Sequence, residues 1–268
     1  MSFYRELDYQ NFVDRVGGLQ FSVMSPEEIR RSSVAEITTQ ETYEGDNPKV
    51  CGLFDPRMGV LDHGKTCPTD SLDNRLCPGY FGHIELAVPV IHVQFYNNII
   101  KILKCVCWRC SSCLVDLDNP AISSVLQKKK GFHRLNYVAS LCKTVKRCGE
   151  KNEDGGGGCG ALKPTNIKKD SSSIGKVCVE WKTKDVDARS KKMIWVASDI
   201  LKIFKRITES DAVNMGFNPN WCKPEWLICS VLPVSPPAVR PSVRNESNTR
   251  MEDDLTHKLC DIVKTKRI

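Results

Sequence analysis

Cys107 and Cys110 stand two residues apart in CVCWRC, the spacing at which one tight turn aims two thiolates at a tetrahedral Zn²⁺. Closing such a site takes two more donors. Cys148 and Cys159 bracket RCGEKNEDGGGGCG, and each is followed by a glycine that permits the tight turn of a ligand knuckle. The four are read as one closed Cys₄ site, whose chemistry is structural. Cys105, Cys113 and Cys142 crowd the same stretch as rival ligands and are expected to pack instead. A weaker set, His63, Cys67, Cys77 and His83, lies in HGKTCPTDSLDNRLCPGYFGH, where no CxxC pair occurs.

The compartment decides how these thiols are read. No run of 18 or more apolar residues exists, and the start MSFYRELDYQ has neither the basic nor the apolar region of a signal peptide, so a soluble intracellular chain is expected. There thiols stay reduced, and clusters among the 14 cysteines read as metal ligands rather than disulfides. The balance of 39 Lys and Arg against 32 Asp and Glu gives a net charge of +7, which suits a polyanion but is common among proteins that bind none. A RING-type ubiquitin ligase would need eight alternating Cys and His ligands, and this chain offers one convincing set of four.

Several elements must position these residues in a chain of 268, long enough for one large domain or two ordinary ones. Ser25 before Pro26, with Glu27 and Glu28, marks a short helix over about 26–31. Residues 42–83, rich in Gly, Asp, Pro and Asn, read as irregular loops around small sites. Apolar spacing from Pro89 to Leu103 predicts a helix that supports the cysteine cluster. Further helices are expected from Ser198 to Ile207, from Ser210 to Met215 with Gly216 as C-cap, and through Leu255, Leu259, Ile262 and Val263. LPVSPPAVRP excludes regular helix and central strand and reads as an extended connector, and the run Gly155 to Gly158 as a flexible loop.

Seven segments, in order, carry a resemblance: FSVMSPEEIRRSSVAEI, GLFDPRMGVLD, CPGYFGHIELAVPVIHV, CVCWRC, LCKTVKRC, GFNPNWCKPEWLICSVLPVSPPAVRPSV and EDDLTHKLCDIV. Together they closely resemble the N-terminal clamp of the largest subunit of multisubunit DNA-directed RNA polymerases, as in RNA polymerase II and its relatives in archaea and large DNA viruses. The likeness runs over nearly the whole chain. It implies an α+β, irregular zinc-stabilised clamp with short helices and small antiparallel sheets. The implied parts are a clamp core with a degenerate zinc-like loop over 1–104, a clamp head over 105–180, a helical part over 181–239, and a lid-like loop with the start of the next helix over 240–268.

The resemblance maps one family zinc onto Cys107, Cys110, Cys148 and Cys159, the set already chosen by spacing. The family's other zinc takes a CxxC, a later cysteine and the first histidine of CPGHFGH, where this chain has Cys67, Asp70, Cys77 and Tyr80. With two of four ligands gone, Cys67, Cys77 and His83 make at most a degenerate metal site, and packing is expected to replace the ion. The lid-like stretch makes Arg240, Arg244 and Arg250 the expected contacts to nucleic-acid phosphates. Lys128 to Lys130, Lys168, Lys169, Lys191 and Lys192 are read as solvated faces.

Nucleotidyl transfer in this family needs a three-aspartate loop close to NADFDGD, and no such motif occurs here, so no catalytic residue is expected. Asp253 with Asp254 and Glu27 with Glu28 are read as helix starts. Mg²⁺ would be bound only in the assembled polymerase. The implied partners are DNA, the RNA–DNA hybrid, the second-largest subunit, the remainder of the largest subunit and the smaller subunits, with no membrane. A split gene or a truncated chain would explain the missing catalytic part. Asp70 and Tyr80 favour a viral or divergent source, which places the protein in a host cytoplasm, viral factory or virion; a cellular one would be nuclear. The rival reading is a freestanding zinc-ribbon DNA-binding factor.

Overall fold

The computed structural model describes residues 16–150, 158–171, 173, 175–181, 191–244 and 250–266, with only the backbone of Arg244. The glycine run expected to form a loop lies mostly outside the described residues. The architecture is mixed α+β. Seven helices are described: α1 Pro26–Ser32, α2 Tyr96–Cys105, α3 Pro120–Lys128, α4 Phe132–Cys142, α5 Ala197–Phe204, α6 Glu209–Asn214 and α7 Asp254–Lys266.

Their ends follow the sequence. The Ser25 hydroxyl accepts from the Glu28 amide at 3.0 Å while the Glu28 carboxylate accepts from the Ser25 amide at 2.8 Å, a reciprocal cap with Pro26 at the first turn. Thr208 caps α6 through the Asp211 amide at 3.2 Å. Gly216 ends that helix at φ +94°, where a Cβ would come within 2.3 Å of the Gly131 carbonyl.

Among the described residues, ten short strands form four small sheets. β1 (Ala35–Glu36), β4 (Gly82–Ile91) and β8 (Ile228–Val234) make one, in the order β1-β4-β8. β5 (Asn166–Lys169), β6 (Val177–Trp181) and β7 (Lys191–Trp195) make a second in chain order. β2 (Tyr43–Glu44) with β3 (Asn47–Pro48), and β9 (Val243–Arg244) with β10 (Arg250–Met251), are two-stranded. All pairs are antiparallel except β1 with β4, which run parallel.

Two expectations are corrected. The periodicity that predicts helix from Pro89 belongs at first to β4, and α2 begins only at Tyr96 after a 3₁₀ turn over Val93–Phe95. Pro89 is tolerated because it lies in a bulge: between the pairs Glu85↔Val231 and Val90↔Cys229, the four residues 86–89 stand opposite Ser230 alone. Pro233 is the second correction, since it belongs to β8 rather than to a connector. β8 is the edge of its sheet, where a missing amide costs least. The following Pro237–Val239 forms a 3₁₀ turn.

The apolar residues divide into two cores. The larger joins α2 (Ile99, Leu103), α4 (Leu135, Val138), the β5-β6-β7 sheet (Val177, Trp181, Trp195) and α5 (Ile200, Phe204). The smaller joins Ala35, Ile37, Leu53, Met58, Ile84, Val234 and Val263. β4 contributes Ile84 to the smaller core and Ile91 to the larger.

Candidate metal centre

α2 delivers the chain straight into the first knuckle. Beyond Cys105 the backbone bridges Val106 to Cys113 and folds on itself: the Cys107 amide donates to Ser112 O and the Ser111 amide to Cys107 O, both at 2.9 Å. Ser111 sits at φ +67°, and the Arg109 amide points at Cys107 Sγ at 3.4 Å. The second knuckle is built alike. Arg147 bridges Leu162, the Cys148 amide donates to Ala161 O at 3.0 Å, and the Gly160 amide reaches back to Cys148 O at 3.3 Å. Gly149 turns at φ +83°, and a Cβ there would meet Gly158 Cα at 2.8 Å, so only glycine fits.

The knuckles bring Cys107, Cys110, Cys148 and Cys159 together with all four sulfurs within 4.8 Å of one another. Cys107 Sγ lies 3.5 Å from Cys159 Sγ, and Cys110 Sγ lies 3.6 Å from Cys148 Sγ. A tetrahedron with Zn–S bonds of about 2.3 Å has edges of about 3.8 Å, so the four thiols fit zinc with no open position. A bound dication would cross-link the two knuckles. Burial pushes the Cys107 thiol up, and burial likewise pushes Cys148 far up. At Cys110 burial also opposes the thiolate, but hydrogen bonds from Ser112 and from the Cys148 thiol prevail and bring it down to about 6. A dication would hold all four as thiolates.

Cys105, Cys113 and Cys142 stay outside this cluster. The Cys113 and Cys142 thiols both point to Cys105 O at 3.6 Å. The sequence reading missed the tryptophans behind the centre. Trp108 and Trp181 both donate an indole N–H to Leu162 O, at 3.1 and 3.2 Å, and Trp181 meets Trp108 and Trp195 edge-on at 5.9 and 6.2 Å. Their signal in the sequence was a tryptophan inside the CxxC pair.

The other cysteine lobe is different. Cys67, Asp70 and Cys77 place ligand atoms within 4.8 Å of one another, three donors rather than four. The fourth side is closed by Tyr80, whose hydroxyl donates to Asp70 Oδ2 at 3.0 Å. The Leu72 amide occupies Asp70 Oδ1 at 2.9 Å, and Cys67 Sγ faces Pro56 O at 3.5 Å. Burial, then the hydrogen bond to Asp70, pushes the Cys77 thiol up to about 11, so it is a protonated donor. His83, expected as a swing-in ligand, is instead held on β4 by Ser33 Oγ at 2.7 Å, and His63 pairs with Asn74 at 3.2 Å. Neither joins the cluster among the described residues, and this set does not fit a closed zinc site.

Residues 13–268 match the family model for RNA polymerase Rpb1, domain 1. The chain belongs to that family. As an Rpb1 domain 1 it is part of the largest subunit of RNA polymerase, a nucleotidyl-transferring complex.

In this Rpb1 domain the three arginines expected to meet nucleic acid are placed unevenly. Arg240 is fully buried, and that expectation is corrected. Its guanidinium donates to Leu53 O, to Ser235 O at 3.0 Å and to Thr256 Oγ1 at 3.4 Å, and stacks 5.1 Å from the Phe54 ring centre. With its donors turned onto these groups it has no face for a phosphate; it pins α7 and the base of the β9–β10 hairpin to the 53–54 loop. Arg250 is also engaged internally, 3.9 Å over the Tyr43 ring and 3.5 Å from Asp62. Arg244 pairs with Arg250 across the hairpin, while its side chain and the tip, 245–249, lie outside the described residues.

Proposed function

We propose that this Rpb1 domain is the clamp module of its polymerase, a zinc-held lobe that closes over DNA and the RNA–DNA hybrid while residues elsewhere in the enzyme transfer nucleotides. The observation that carries the reading is the four-sulfur centre, built where the family match runs through both knuckles. A closed thiolate site stiffens a lobe without reacting, which is what a gripping part needs. Grip by charge is independent of base sequence, as a processive enzyme requires. The chain holds no NADFDGD-type sequence, and the described residues bring no three carboxylates within ligand reach, which supports a division of labour with catalytic Mg²⁺ held elsewhere.

The β9–β10 hairpin is assigned the role of a lid, with Arg244 and its tip as the part that meets nucleic acid and Arg240 as its internal anchor. Asp70 and Tyr80, standing where the family's second zinc ligands would be, support a viral or divergent polymerase. Purification of the tagged chain from its native source tests the clamp. It should bring down the second-largest subunit and a subunit carrying the three-aspartate loop. Recovery of the chain alone, still bound to DNA, would instead establish a freestanding zinc-ribbon factor.

A further inference from the structure

The chain carries no acidic residue between Glu85 and Asp116, nor between Asp118 and Glu150. These two stretches hold α2, the first knuckle, α3, α4 and the approach to the second knuckle. α2 and α4 pack side by side, so their outer faces form one surface.

Spacing fixes what that surface presents. On α2, Asn97, Lys101 and Lys104 recur at helical intervals, with Asn97 and Lys104 exposed and Lys101 half-buried. On α4, Phe132, Asn136 and Ser140 do the same, the row runs on to the C-cap residue Lys143, and all four are exposed. The two rows touch: Lys101 Nζ donates to Asn136 Oδ1 at 2.9 Å and stands 4.0 Å over the Phe132 ring. Lys163 extends the surface at the C-terminal end of α4, where its ammonium donates to Cys142 O. Burial, and in smaller part the neighbouring Lys104 charge, lower the Lys163 amine below its ordinary value, which puts Lys104 and Lys163 within electrostatic reach. Among the described residues, Lys104 and Lys143 form no ion pair. Glu150, the nearest carboxylate along the chain, is occupied by the backbone amides of Lys146 and Arg147 at 2.7 and 3.0 Å.

Resting on the clamp reading, we propose that this α2–α4 face is a docking surface for the phosphate backbone of duplex nucleic acid, with Lys101, Lys104 and Lys143 as the phosphate contacts. The row from Phe132 to Lys143 spans about 16 Å of helix, and a strand of duplex presents a phosphate about every 3.4 Å, so the face covers several phosphates. Between the lysines lie amide and hydroxyl groups, Asn97, Asn136 and Ser140, which donate to phosphate oxygens. An acidic protein partner would call for an apolar anchor at the centre of the patch. Phe132 is the one large exposed apolar side chain on the two rows, it lies at the start of the α4 row rather than at its centre, and Lys101 stands over one face of its ring.

The test compares the zinc-loaded full chain with Lys101→Gln, Lys104→Gln and Lys143→Gln combined, using anisotropy of a labelled duplex of random sequence from 0.05 to 0.3 M salt. A second triple variant, Lys202→Gln, Lys205→Gln and Lys258→Gln, removes the same charge elsewhere. The first should weaken binding about 100-fold at 0.1 M salt and lower the slope of log K against log salt by about 2 to 3, while the second changes the slope by less than about 1. Equal losses in both variants, or none in the first, would overturn the inference; zinc content unchanged from wild type certifies the fold. Co-purification with the second-largest subunit is read separately. A patch variant that assembles normally and binds duplex as wild type does sinks this surface alone, whereas a wild-type chain recovered without polymerase sinks the clamp reading.

Discussion

Two lobes of this Rpb1 domain gather cysteines onto tight turns. Around Cys107, Cys110, Cys148 and Cys159 four sulfurs converge, burial opposes the charge of Cys107 and Cys148, and a dication would favour the thiolate at each. Around Cys67, Asp70 and Cys77 the fourth corner is a phenol, and the Tyr80 to Asp70 hydrogen bond closes the loop with one negative charge that backbone and side-chain donors already serve. A knuckle can thus be held by an ion or by a satisfied hydrogen-bond network. The first couples folding to metal supply, and the second does not.

Chelation should separate the lobes most strongly. Removing zinc from a structural thiolate site forfeits on the order of 10 kcal/mol of apparent binding free energy. The near-ultraviolet signal of Trp108, Trp181 and Trp195 should then collapse while amides near β1 stay protected from exchange; equal loss in both would erase the contrast. Next in size is Cys148→Ser, which should lower stability to urea by at least about 3 kcal/mol, against about 1 kcal/mol for Cys77→Ser. A third experiment converts one lobe into the other. Asp70→Cys with Tyr80→His supplies three thiols and an imidazole, and bound zinc should rise from about one to about two per chain by elemental analysis. A count that stays near one would mean the lobe's backbone, not its donor set, excludes the ion.

The smallest effect is a pH dependence. Burial and Asp70 raise the Cys77 thiol from 9.0 to about 11, so the folded lobe holds its proton more tightly than the unfolded chain does. That contribution is complete below about pH 9 and fades as pH rises through about 11. Alkylation of Cys77 should follow the same curve, with a midpoint near 11; a midpoint at the usual thiol value would show that neither burial nor Asp70 holds the proton in place.

The four-cysteine cluster was legible because CxxC and Cys-Gly are local signals, each knuckle being closed by its own backbone hydrogen bonds. Capping at Ser25 and the apolar faces of α2, α5 and α7 were legible for the same reason. What escaped was set by distant contacts. Arg240 read as a phosphate ligand because it opens the stretch that resembles the family's lid, yet Leu53, 187 residues away, accepts its hydrogen bond. Helical spacing beyond Pro89 hid the end of β4, and the prolines of LPVSPPAVRP argued for a connector; only pairing shows that Pro89 sits in a bulge and Pro233 on an edge strand. The α2–α4 face hid because its lysines are spread over two helices and noticed only as a missing sign of charge.

The bulge in β4 has a mechanical meaning. The strand anchors Ile84 in one core and Ile91 in the other, and between its two paired stretches four residues answer one. Three surplus residues amount to about 10 Å of contour length at the usual rise of a strand. β8 crosses the same span without a bulge, from Ile228 in the larger core to Val234 in the smaller, so the two cores share one continuous edge strand and the surplus of β4 is taken up as local curvature against it.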